Sequence, residues 1–132
     1  MFAAAIAGAG VTDFTSSYLT MNYDRLRSDG WRFESQQFRM NTSPFEDWEG
    51  YTRNSPVAHA AKIKTPLLSW SGKNDTSVDF EQSIELHLAL RRLHKPGVML
   101  LYPGQNHILT DPKAQLHLTK AVKDWLDSHL KE

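Results

Sequence analysis

The sequence contains no cysteine. A disulfide scaffold, a thiolate zinc site and a cysteine nucleophile are thereby excluded. Charge of one sign is not in excess either: fifteen Lys and Arg stand against fifteen Asp and Glu, for a formal net charge of +0. No global field then draws the chain to nucleic acid or to an anionic membrane, and neither partner is expected. Long hydrophobic runs are missing too. The start, Met1-Phe-Ala-Ala-Ala-Ile-Ala-Gly-Ala-Gly10, is apolar, but it lacks a basic flank and stops at Thr12-Asp13, far short of a membrane span. No His-Glu-x-x-His occurs, and His59, His87, His94, His117 and His129 form no ligand pattern, so no metal and no cofactor are expected. Gly8-Ala-Gly10 opens a dinucleotide fingerprint that fails where Asp13 replaces the third glycine. Its small residues suit a close approach of backbone instead.

What is present is a strand–helix alternation. Three short apolar runs, Phe2 to Ala9, Pro66 to Trp70 and Val98 to Tyr102, have the length of buried parallel strands, and each ends in turn residues. The first is expected to be buried on both faces. Between the second and third, Asp79 to Lys95 reads as a helix whose buried side is Phe80, Ile84, Leu88, Leu90 and Leu93, stopped by Pro96-Gly97. A second helix opens with Asp111 as N-cap and Pro112 at its first position, and repeats Leu118, Val122, Trp125 and Leu126 at helical spacing. The alternation implies a parallel sheet with right-handed crossovers. The stretch from Thr12 to Ala61, rich in aromatics, Asn and Ser, reads as a long excursion with one or two short helices, one of them around Glu46 to Thr52.

Two constellations could carry chemistry. Gly72-Lys-Asn-Asp75-Thr-Ser77-Val78 follows the second strand, and Tyr102-Pro-Gly-Gln-Asn106-His107-Ile108 follows the third. Chemistry in open α/β sheets gathers at the C-terminal ends of strands, which is where Asp75 and His107 fall. Taken singly, Asp75 or Ser77 could cap a turn, and His107 could be a surface loop histidine. Taken together, acid first and histidine second on consecutive strands, they match the order Ser…Asp…His of the α/β-hydrolase triad.

The stretch Asn54-Ser-Pro-Val57, Ile63-Lys-Thr-Pro-Leu-Leu68, Gly72-x-x-Asp75-x-x-Val78, the helix from Glu85 to Lys95, Tyr102-Pro-Gly104, Asn106-His107, Trp125-Leu126 and Leu130-Lys131 resembles the end of the prolyl oligopeptidase family. Residues 1–13 are similar to that family's strand after the nucleophile helix. The resemblance implies that residues 1–132 are the C-terminal part of an α/β-hydrolase catalytic domain: a partial α/β-hydrolase fold, about three parallel strands with flanking helices. It implies Asp75 as triad acid and His107 as triad base, with a peptide as substrate of the intact enzyme. Two positions depart from the pattern: Asn106 stands where many relatives have Gly, and Ser77 where dipeptidyl peptidases carry Asn. Tyr18 and Tyr23 fall where the family's specificity-pocket aromatics occur, although packing is the expected role for both.

No Gly-x-Ser-x-Gly elbow occurs in the sequence, and Ser16, Ser17, Ser69 and Ser71 lack its glycines. The chain alone is therefore expected to be inactive. Two other readings stay open: an esterase or lipase on the same fold, because acid and histidine encode no peptide specificity, and a non-catalytic remnant acting through oligomerisation. Self-association is expected in any case, to cover the sheet edge and apolar face that missing strands would leave. The sequence does not fix a compartment; a periplasmic or secreted parent is the expectation, with the cytoplasm open.

Overall fold

The three short apolar runs become the parallel strands of the computed structural model, which describes residues 2–23 and 25–130. Met1, Asp24, Lys131 and Glu132, some of which carry part of the sequence resemblance, lie outside the described residues. Strand β1 is Ala5–Gly8, and helix α1 is Phe14–Tyr18. A short ribbon of β2 (Met21–Asn22) and β3 (Arg27–Ser28) follows, then α2 (Gly30–Glu34), α3 (Trp48–Asn54) and a 3-10 helix at Pro56–Lys62. The chain then alternates regularly: β4 (Leu67–Gly72), α4 (Glu81–Arg92), β5 (Gly97–Tyr102) and α5 (Pro112–His129). Strands β1, β4 and β5 form a parallel sheet in the order β1-β4-β5, and β2 pairs antiparallel with β3.

Register positions the two candidate loops. Leu67 pairs with Gly97 and Gly72 with Tyr102, so β4 and β5 end level with one another. Their outgoing loops, which carry Asp75 and His107, therefore start side by side.

Three expectations need correction. The first apolar run is not buried on both faces: Ile6 is 40% exposed, and Ala7 and Gly8 are also exposed. The reason is strand order, which makes β1 an edge of the sheet. Close approach does hold there, since a Cβ on Gly8 would stand 2.3 Å from Cε2 of the Trp70 indole. Secondly, the excursion carries more than one or two helices. Asp13 caps α1 through the Thr15 amide, Asp47 caps α3 through the Gly50 amide, and Pro56 opens the 3-10 helix. Its core is a cluster of rings. Phe33 and Tyr51 are fully buried, Phe33 stacks on Phe38 with centroids 4.5 Å apart, and Tyr18 meets Tyr51 edge-on at 5.7 Å. Such rings bury large apolar areas at low entropic cost, and this small core lets so irregular a segment hold its shape.

Thirdly, α4 turns inward a face that shares only Leu90 with the expected one. Leu86 and Leu90 pack with Ala60 in a core of their own, whereas Leu88 and Leu93 are exposed and Phe80 and Ile84 are half-buried. The stripe runs through Gln82, which is 4% exposed. Its Oε1 accepts from the amides of Thr12 (3.0 Å) and Asp13 (2.8 Å), and its Nε2 donates to Ser16 Oγ (2.9 Å). A buried polar side chain thus fixes the helix rotation and ties α4 to the loop after β1. Gln82→Leu strands the buried Thr12 amide and the half-buried Asp13 amide, each worth up to about 1–3 kcal/mol when unpaired. A loss of about 2–4 kcal/mol is expected in urea unfolding of the chain, and a change below 1 kcal/mol would contradict the assignment.

Helix α5 begins as expected, with Asp111 Oδ2 accepting from the Ala114 amide at 2.9 Å and Pro112 in the first turn. Leu118, Val122, Trp125 and Leu126 are half-buried on one face. Among the described residues, no helix is long and apolar enough to cross a membrane.

Candidate active site

Asp75 leaves β4 on a tight turn and has no exposed side-chain surface. Its two oxygens have separate tasks. Oδ1 accepts the backbone amides of Ser77 (2.8 Å) and Val78 (2.9 Å), which locks the carboxylate to its own loop. Oδ2 lies 2.9 Å from Nδ1 of His107. A carboxylate only accepts, so Nδ1 carries the proton and Nε2 is left with its lone pair. The His107 side chain is 42% exposed and is thus open to a reacting group.

The two loops are stitched together around this pair. Asn106 Oδ1 accepts the Thr76 amide at 3.0 Å and the His107 amide at 2.7 Å, while Asn106 Nδ2 donates to Thr76 Oγ1 at 3.0 Å. Asn74 Oδ1 accepts the Gly104 amide at 3.1 Å, and the Asn74 amide donates to the Gln105 carbonyl at 2.9 Å. Gly104 itself sits at φ +71°, where a side chain would be strained. On the far side, Gln105 Oε1 accepts the amides of Thr110 and Asp111 and so anchors the start of α5. Asn106 is therefore the clasp between acid loop and histidine loop.

His107 stands between two cavities of about 350 Å³ each. One is lined by Ser77, Asn106, Ile108 and Thr110. The other reaches into the excursion, to Asn22, Arg25, Trp31, Arg32 and Gln37. Ser77 borders both, yet among the described residues only its backbone is engaged: its amide bonds Asp75 and its carbonyl accepts Arg32 Nη1 at 2.9 Å. The two tyrosines part company. Tyr18 packs in the ring cluster and donates to Glu34 Oε1 at 2.5 Å. That bond first, and burial second, push its hydroxyl pKa up to about 12, and burial does the same for Tyr51. Tyr23, expected to pack, is instead 67% exposed and borders a cavity of about 180 Å³ shared with Lys73, Asp75 and Thr76. Sequence reading did not anticipate Arg25, Trp31 and Arg32 beside His107, because they come from an irregular segment with no motif spacing. Among the described residues, no group of three or more His, Asp or Glu could hold a metal ion.

Comparison with known proteins places this geometry in context. The model of the prolyl oligopeptidase family matches residues 1–132. The rat (Rattus norvegicus) acylamino-acid-releasing enzyme is 35% identical over 83 residues, which is 63% of this chain and 11% of that enzyme. The uncharacterized peptidase YuxL of Bacillus subtilis is 26% identical over 132 residues, 98% of this chain and 19% of that protein. The structure of Pyrococcus horikoshii acylaminoacyl peptidase superposes with a TM-score of 0.82 at 24% identity, covering 99% of this chain and 21% of that one. The chain thus spans between a tenth and a fifth of the length of the two curated relatives.

Proposed function

This chain belongs to the prolyl oligopeptidase family, and from that premise we propose that it is the acid-and-histidine part of a serine peptidase's catalytic domain. One observation carries the reading: an Asp75 side chain with no exposed surface, bonded at 2.9 Å to Nδ1 of a half-exposed His107, on the loops of two level, adjacent strands. The names of the relatives, a peptidase and an acylamino-acid-releasing enzyme, favour a peptide substrate over an ester.

In this reading His107 Nε2 takes the proton of a serine hydroxyl as the serine oxygen bonds to the scissile carbonyl carbon. The same nitrogen then gives that proton to the departing amine as the C–N bond breaks. Water repeats the cycle on the acyl-enzyme and restores the serine. Asp75 keeps the imidazole in the required tautomer and stabilises its charged form; it does not itself take up the proton. The sequence holds no Gly-x-Ser-x-Gly elbow, so the serine and the amide donors for the oxyanion come from residues outside these 132. The chain by itself is inactive. The test is a paired assay with a peptide nitroanilide and a nitrophenyl ester of the same acyl group. The full-length protein of the source gene cleaves the peptide and the 132-residue chain cleaves neither. Ester cleavage without peptide cleavage in the full-length protein would favour the esterase reading instead.

A lone chain would also present β1 as an unpaired parallel edge, beside the 84% exposed Phe2 and the 40% exposed Ile6. Parallel edges of this kind are ordinarily covered. The isolated chain is expected to sediment as a dimer or larger species, and a clean monomer would contradict this.

A further inference from the structure

The cavity that runs from His107 into the excursion carries a positive excess that the triad chemistry does not use. Arg32 is held rigidly: Nη1 donates to Asp29 Oδ2 at 3.0 Å and to the Ser77 carbonyl at 2.9 Å, and Nη2 reaches Gln37 Oε1 at 3.3 Å. Asp29 is 2% exposed, and its other oxygen is buried with no hydrogen-bond partner among the described residues. The carboxylate is therefore spent on fixing one guanidinium. Arg32 keeps donors beyond these bonds, since a guanidinium has five N–H groups in a rigid fork.

Two further cations stand on the indole of Trp31. The guanidinium carbon of Arg27 lies 3.6 Å from the ring centroid and that of Arg25 lies 5.4 Å from it. Arg25 lines the cavity, and among the described residues its guanidinium makes no hydrogen bond or ion pair. Arg25 and Arg32 thus both line the cavity, with Arg27 stacked on the same indole as Arg25, and among the described residues one carboxylate, Asp29, pairs with Arg32. Like charges held together in this way are unfavourable unless an anion enters, and stacking on an indole pre-orders a guanidinium to receive one. Beside Ser77 and His107, the wall is completed by the neutral amides of Asn22, Gln36 and Gln37. At about 350 Å³ the space suits one small group and not a polymer.

We propose that this cavity is a carboxylate-binding subsite, in which Arg25 and Arg32 receive a carboxylate of the peptide substrate and so select it. The proposal rests on the peptidase reading for the identity of its ligand. The carboxylate could be the peptide's C-terminus or an acidic side chain. Bidentate pairing of a planar carboxylate with a guanidinium fork supplies the selectivity, which Lys in either position would not reproduce.

The test uses the chain itself, so that it does not depend on turnover. Three peptides are titrated by NMR: acetyl-Ala-Ala-Ala with a free C-terminus, its C-terminal amide, and acetyl-Ala-Asp-Ala amide. Kd is read from the Arg Nε–H signals of Arg25 and Arg32. One or both carboxylate peptides are expected to bind about tenfold more tightly than the plain amide, and more weakly as salt rises. Which of the two binds identifies the source of the carboxylate. Arg32→Met strands the buried Asp29 and can fail to fold, so the deciding variant is Arg25→Gln at an exposed position. It is expected to bring the carboxylate peptides to the affinity of the amide, with the urea midpoint and the His107 Nδ1–H signal unchanged. Equal affinity for all three peptides, no binding at millimolar concentration, or an undiminished preference in Arg25→Gln would overturn the proposal. None of these results bears on whether Asp75 and His107 serve hydrolysis, and an inactive triad would leave the binding preference in place.

Discussion

Replacing Asp75 by Asn in the full-length protein is expected to lower kcat by about 10⁴, with the fold intact. The structure separates the two effects. Oδ1 takes the amides of Ser77 and Val78, and an asparagine carbonyl oxygen can keep both bonds. The oxygen facing His107 Nδ1 becomes an NH₂, which can only donate. The imidazole must then turn its lone pair to Nδ1 and carry its proton on Nε2, the nitrogen that has to accept the serine proton. The loss sits in kcat and leaves KM nearly unchanged, because no substrate contact is removed. Circular dichroism and the urea midpoint check that the protein is folded. A loss under tenfold in a folded variant would reduce Asp75 to a turn cap, the alternative that the sequence left open.

The second large effect is expected from a residue with no chemistry. A Cβ on Gly72 would stand 2.2 Å from the Asn106 carbonyl oxygen, 2.4 Å from that of Gln105 and 2.7 Å from the Gln105 carbonyl carbon. These are backbone atoms, so no side chain can swing aside. Gly72→Ala must push the histidine loop away from β4, at the expense of the Lys73 amide to Tyr102 carbonyl bond (2.9 Å) and the Asn74 to Gln105 bond (2.9 Å). Overpacking of this kind costs about 1–3 kcal/mol. A shift of about 1 Å in a reacting group costs about 10²-fold in rate, so kcat of the full-length Gly72→Ala variant is expected to fall by at least that much. The rate is to be measured well below the unfolding midpoint, so that stability and positioning are read apart. Unchanged kcat would mean that the loop absorbs the methyl group without moving His107.

Sequence legibility followed the source of each element's stability. Strands β4 and β5 and helices α4 and α5 were visible from local chemistry, with Pro103-Gly104 and the Asp111-Pro112 start falling at element limits, although β4 runs on through the expected turn Ser71-Gly72 and α4 stops at Arg92, short of Pro96-Gly97. The placement of Asp75 and His107 was visible as well, since consecutive parallel strands put their outgoing loops side by side. Helix rotation was not. Hydrophobic periodicity favoured a face through Phe80, Ile84 and Leu88, whereas α4 is turned by Gln82, whose amide serves three groups on a segment some seventy positions away. No window of sequence contains that contact.

The excursion was opaque for a related reason. Its helices of five to seven residues and its ribbon strands of two are too short for any periodicity to register. They are held by side chains that meet from distant positions, such as Ser55 Oγ accepting the Phe14 amide at 2.9 Å. The arginine-lined cavity belongs to this segment and shared its invisibility. Likewise β1 read as buried because its composition is that of a central strand, whereas among the described residues it pairs with β4 alone.

His107 is assigned to serve a serine that these 132 residues do not contain. The most direct test is to label the full-length protein with a fluorophosphonate, which reacts with a serine activated by a general base, and to locate the label by peptide mass spectrometry. The predicted result is a single labelled serine within a Gly-x-Ser-x-Gly sequence outside residues 1–132, with labelling lost in His107→Ala. A label on a serine within residues 1–132, no labelled serine at all, or labelling that survives His107→Ala would contradict this assignment.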